Sequence, residues 1–196
     1  MTSFQKSVQL QAVLTVIVLS AFMLQFNVLF PLESRLFPSD DLDHASLLFL
    51  PHGLKILMAY LMGIVAVPAI FIAQLLAGLL ILGVGMQDAV VGAVFGTLAA
   101  IMPVAIINFL FKNPWHEGVA LNSKEGIGTF RAFIVAVMLS TFVNSVLHSA
   151  YYHADSTVML PFRYLFGDIM GAIVVFGLVI LMRRQILSFI ARRLSA

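Results

Sequence analysis

The chain has 196 residues, 61% of them hydrophobic and 10% charged, with a formal net charge of +2. A soluble domain rarely exceeds about 50% apolar residues, so a soluble catalytic domain is excluded, and the basic residues sit at the edges of apolar runs, as topology signals rather than a nucleic-acid surface. The absence of cysteine removes disulfides, thiolate metal sites and cysteine nucleophiles.

A bilayer-spanning helix needs about 20 apolar residues, so this composition predicts an all-α, polytopic membrane helix bundle of about six transmembrane helices in one domain, 1–196. The first span is expected from Val8 to Phe30, closed by Pro31. Only Lys6 precedes it and no small-residue cleavage site follows, so it reads as a retained helix. A polar loop with Glu33, Asp40, Asp41 and Asp43 comes next. The apolar run from Ala45 to Gly83 is too long for one span, and Gly63 and Pro68 divide it. A short second helix is expected over Phe49 to Met62 and a third over Val67 to Leu82. At 1.5 Å per residue the second covers about 21 Å, less than the about 30 Å hydrocarbon core. A helix that stops inside the membrane has to be buried in protein or line a cavity.

Gly83, Gly85 and Asp88 form a turn before a helix over Ala89 to Phe111, where Gly92 and Gly96 are spaced for close helix packing and Pro103 introduces a kink. The polar segment Lys112 to Gly128 holds Trp115 at an interface position. The fifth span is expected over Thr129 to Tyr152 and the sixth over Pro161 to Met182, continuing into an arginine-rich interfacial tail. With six spans, Lys6, Lys112, Lys124, Arg183, Arg184, Arg192 and Arg193 share one side, and Glu33, Asp40, Asp41, Asp43, Asp88 and Asp155 the other. The basic side is the cytoplasmic one, so both termini are expected in the cytoplasm of a cell with an inner membrane.

The polar residues within the spans gather toward the outer side. His52 and Lys55 lie near the start of the short second helix, Asn144 and His148 share a face of the fifth, and Arg163 and Asp168 lie on the sixth. Ionisable groups at such depth need partners or a water-filled cavity. Two readings stand for each. Lys55 and Asp168 form either a buried structural ion pair or the poles of a ligand pocket. Arg163 either snorkels or binds, and His148 with Asn144 forms either an interhelical hydrogen bond or part of a site. The pocket reading assigns ligand binding to His52, Lys55, Asn144, His148, Arg163 and Asp168, with Lys55 and Arg163 holding an anionic group and Asp168 balancing Lys55. Gly53, Gly92, Gly96, Gly167 and Gly171 are assigned to packing. His44, His52, His148, His153, Asp43 and Asp168 lack any HxxxH or HExxH spacing, so no metal is expected. Ser145, Ser149 and His148 lack a nucleophile-elbow context, so neither catalysis nor a cofactor is expected.

Two stretches resemble a known family. Phe49, Pro51, Gly53, Gly63 and Pro68 in FLPHGLKILMAYLMGIVAVP, and Gly167, Asp168 and Gly171 in GDIMGA, are similar in order and separation to motifs of bacterial membrane-associated sensor (MASE-type) domains. The chain departs from that pattern at His52 and Lys55. The resemblance implies a sensory membrane domain. Such domains usually precede a cytoplasmic output module, which this sequence does not carry, so the signal is expected to pass to a separate protein. The expected function is a small-molecule sensory or binding subunit that works with the lipid bilayer, a protein partner and a small anionic ligand, without nucleic acid. The alternatives are a membrane component of a solute transporter, with the size and span number of vitamin-transporter substrate-binding subunits, and a structural subunit of a larger membrane complex.

Overall fold

In a computed structural model, the backbone is described over residues 3–37, 46–111, 118, 126–152 and 159–194, and side chains over 4–37, 46–111, 118, 131–151 and 161–182. The expected roles of Asp40, Asp41, Asp43, His44, Trp115 and His153 lie outside these residues, and those of the four tail arginines outside the described side chains. The described chain is helical, without strands: α1 (Ser3–Leu24), a π-helical turn (Gln25–Leu29), α2 (Phe30–Leu36), α3 (Leu50–Met62), a 3-10 turn (Gly63–Ala66), α4 (Val67–Leu80), α5 (Met86–Leu110), α6 (Gly126–Tyr152) and α7 (Met159–Leu194). Five stretches are long and apolar enough to cross a membrane: Phe4–Leu36, Leu50–Leu80, Met86–Leu110, Arg131–Tyr151 and Pro161–Met182. About six were expected, and the difference lies in the second stretch, where α3 and α4 follow each other with helical turns between them.

That stretch is not a straight rod. Lys55 on α3 hydrogen-bonds Gln74 on α4, although in one continuous helix these residues would stand about 28 Å apart. The chain reverses at Gly63, whose φ of 59° and ψ of −137° suit a residue without a Cβ. Two glutamines of the first rod, Gln11 in α1 and Gln25 at the start of the π-helical turn, fix the depth of the resulting hairpin. Gln25 Oε1 accepts from the Leu50 N–H at 3.1 Å where α3 begins. Gln11 Nε2 donates to the Val65 carbonyl at 2.8 Å in the turn. These glutamines are about 21 Å apart along that rod, so the hairpin extends about that far into the bundle. Pro51 and Pro68 sit where a missing N–H is harmless, both in the first turn of their helices, while Pro103 lies inside α5.

Pro31 does not close the first helix, contrary to the sequence expectation. The Phe30 N–H bonds the Gln25 carbonyl in a π-type turn, which shifts the bonding register by one residue just where the proline ring would meet the carbonyl of Asn27. The rod therefore continues through α2.

The short helix α3 is central, packing on α7, α5, α1 and α6, while α4 packs on α1 and α5. Val18, Ile56, Ile70, Ala73, Ala100, Val104 and Ala136 form a solvent-free core. Large apolar side chains such as Ile72, Leu98, Phe109, Phe142 and Leu181 cover the outside. Such a surface is unfavourable in water and matched to lipid.

Close contact between α3 and α7 depends on glycine. A Cβ at Gly171 would overlap the Phe49 carbonyl, one at Gly167 the Ser46 carbonyl, and one at Gly53 the Gly171 carbonyl. The Phe49 N–H donates to the Gly167 carbonyl at 2.9 Å, so the extended residues before α3 lie directly on the α7 backbone. Gly171→Ala should therefore lower stability by about 1–3 kcal/mol, because the obstacle is backbone that cannot rotate away. Gly177→Ala, where a Cβ meets nothing within 4 Å, should be neutral or slightly stabilising. Thermal unfolding midpoints of the two variants in the same detergent check this difference.

Candidate functional site

A cavity of about 430 Å³ lies at the end of the bundle where α3 begins and α4 ends. Its polar lining includes Lys55, Gln74, Asn144, His148 and Asp168, and its apolar lining includes Phe22, Phe26, Phe49, Leu82 and Tyr164. Pockets for small molecules commonly have about this size and this mixture of apolar walls with a few placed polar groups.

Lys55 is 2% exposed. Its ammonium donates to Gln74 Oε1 and stands 5.8 Å from the centre of the Phe22 ring. Gln74 is held in the matching orientation, because its Nε2 donates to the Ala93 carbonyl at 3.1 Å. Room for that amide comes from Gly96, where a Cβ would overlap it. Gly96 thus sets the position of a lysine partner, while Gly92 lines the cavity.

Asp168 is 1% exposed, and its Oδ2 accepts from Asn144 Nδ2 at 2.7 Å. Asp168 Oδ1 and Asn144 Oδ1 have no hydrogen-bond partner among the described residues. The fully buried His52 lies beside this carboxylate at 3.7 Å, too far for a hydrogen bond. Its Nε2 is 3.2 Å from Ser140 Oγ, which gives its own hydrogen to the Ala99 carbonyl at 2.6 Å. Ser140 has one proton to give, so Nε2 carries the hydrogen in the bond to Ser140.

Of the six residues expected to bind ligand, Lys55, Asn144, His148 and Asp168 line the cavity. His52 stands behind Asp168, against Ser140. Arg163 is at the rim, paired at 3.1 Å with Glu33. No direct ion pair joins Lys55 to Asp168. Each has a neutral amide as its hydrogen-bond partner, and they interact as charges facing one cavity. Among the described residues, no three His, Asp or Glu side chains gather as a metal site.

The rim is a second polar network. Glu33 accepts from Arg163, from the Leu47 N–H at 2.6 Å and from Ser46 Oγ at 2.6 Å. Gln25 Nε2 donates to the same Ser46 oxygen at 3.0 Å. Across the opening, Tyr151 donates to Asp88 at 3.2 Å, and Phe95 packs edge-on against His148 and Tyr151.

Sequence reasoning passed over Gln74, although it is the one strongly polar side chain in VPAIFIAQLLAGLL. An isolated polar group at such depth signals a partner. Ser46 and the phenylalanine walls carry no comparable signal.

Gln74→Leu should leave the Lys55 ammonium without its acceptor and lower stability by about 2 kcal/mol or more. Adding Lys55→Met should recover part of that loss, since both members of the pair are then gone. Unfolding midpoints of the two single variants and the double variant give the coupling.

No protein-family model, curated protein or solved structure matches the chain.

Proposed function

We propose that this is an inner-membrane protein that crosses the bilayer six times, with both termini cytoplasmic, and binds a small polar molecule in its outward-facing cavity. It then passes the binding state to a protein partner, as a sensory or binding subunit without catalytic activity. One observation carries the reading: Lys55 and Asp168 face a cavity of about 430 Å³ without cancelling each other in a direct ion pair. A purely structural pair would close on itself, because separated buried charges are costly.

The six-crossing topology rests on the reversal at Gly63, which counts α3 and α4 as two passes although each is short. One contact supports a route for the signal. The tip of the α3 hairpin lies against Gly118 in the segment between α5 and α6, where a Cβ would overlap the Leu61 carbonyl. A shift of α3 on ligand binding therefore bears directly on the cytoplasmic side of this topology. The sensor-domain resemblance is supported by a different contact, since its residues Phe49, Gly53, Gly167 and Gly171 meet where α3 lies on α7. The transporter alternative is favoured by one feature, a polar site on a helix broken within the bundle, as discontinuous helices serve in transporters.

Two measurements test the proposal. The chain has no cysteine, so single cysteines at the exposed positions Gly85 and Arg131 report topology with a membrane-impermeant thiol reagent. Gly85→Cys should label in intact cells and Arg131→Cys only after permeabilisation. Labelling of both in intact cells contradicts the topology. Native mass spectrometry of the gently solubilised protein should show a retained small molecule that is lost in Lys55→Met and in Asp168→Asn. Folded variants that retain the same adduct as the parent protein would place it elsewhere and refute the pocket.

A further inference from the structure

We propose that the occupant of the cavity is a small zwitterion with an apolar body, of the α-amino acid class, with its carboxylate at Lys55 and its ammonium at Asp168. This rests on the binding reading above and narrows it. An anion held between Lys55 and Arg163, the arrangement expected from sequence, does not fit the geometry. Arg163 is committed to Glu33 at the rim and does not line the cavity. An anion at Lys55 alone would also face the carboxylates of Asp168 and, at the opening, of Asp88, and a cation at Asp168 alone would face Lys55. Like charges at such range in a desolvated site repel strongly. A ligand carrying both charges meets each pole with its opposite.

The hydrogen-bonding capacity agrees. An ammonium has three donors, and Lys55 uses one of them on Gln74. Asp168 Oδ1 and the neighbouring Asn144 Oδ1 are two buried acceptors without partners among the described residues, an arrangement suited to the several N–H groups of a primary ammonium. The poles face one cavity without touching, which leaves room between them for the two charged groups that an α-amino acid carries on one carbon. The aromatic wall of Phe22, Phe26, Phe49 and Tyr164 provides for an apolar side chain.

Equilibrium dialysis of the full chain in nanodiscs, with empty nanodiscs as the reference, tests the inference. The probes are L-phenylalanine, 2-phenylethylamine, 3-phenylpropionate and the neutral 3-phenylpropionamide, which share a ring and differ in charge. L-phenylalanine should bind saturably and at least about tenfold tighter than the other three, because a site built around polar partners discriminates against ligands lacking them. Lys55→Gln should narrow its advantage over the amine, and Asp168→Asn its advantage over the acid. The comparison on the unaltered protein stands even if a variant fails to fold. Equal binding of a singly charged or neutral probe, or no saturable binding of L-phenylalanine, overturns the zwitterion. Where that other probe is weakened by Lys55→Gln or Asp168→Asn, or native mass spectrometry shows a different adduct dependent on both residues, the pocket itself survives.

Discussion

Two opposite charges within a helix bundle clad in apolar side chains are the constraint from which the rest of this structure follows. Lys55 and Asp168 are almost without solvent exposure, and a charge at membrane depth costs about 2.5 kcal/mol or more unless it is compensated. The hydrogen bonds that compensate them come from neutral amides, and each charge also faces the other across the cavity. Gln74 receives the ammonium and Asn144 donates to the carboxylate. Neither amide is close to its charged partner in sequence, so the fold has to deliver four helices to one place.

Two devices make that delivery. The reversal at Gly63 folds α4 back along α3 and brings Gln74 to Lys55. The glycines of α3 and α7 let Asp168 approach α3 at backbone distance, beside His52. Around them, Gln25 in the π-helical turn and Gln11 on α1 hold the start and the tip of the hairpin. Glu33 gathers α2, the residues before α3 and α7 into one rim. The cavity is what remains between helices tied at top and bottom but kept apart by the Phe22, Phe26 and Phe49 rings.

Much of this was legible in the sequence, because apolar runs and their breakers act locally. Gly63 and Pro68 marked the hairpin, α3 begins and ends within one residue of the expected positions, and α5 and α6 within a few. The clustering of Lys55, Asn144, His148 and Asp168 followed from depth alone. What escaped depends on three-dimensional approach. Pro31 was read as a stop because a π-helical turn that accommodates it leaves no pattern in composition. Arg163 was assigned to the ligand because nothing in the sequence brings Glu33 to it across the bundle. Gly96 was read as a helix contact, whereas its lack of a side chain admits the Gln74 amide. Of the two readings of Lys55 and Asp168, the ion pair requires contact, whereas amides from α4 and α6 take their hydrogen bonds.

The central claim is that Lys55 and Asp168 are held as one electrostatic unit inside the bundle. A double-mutant cycle on stability tests it most directly, using thermal unfolding of the parent protein, Lys55→Met, Asp168→Asn and the doubly neutralised chain. The account predicts that each single variant is destabilised, because it leaves an uncompensated buried charge, and that the double variant recovers a substantial part of the loss. Losses that simply add would mean that the two charges do not sense each other, and would contradict the account.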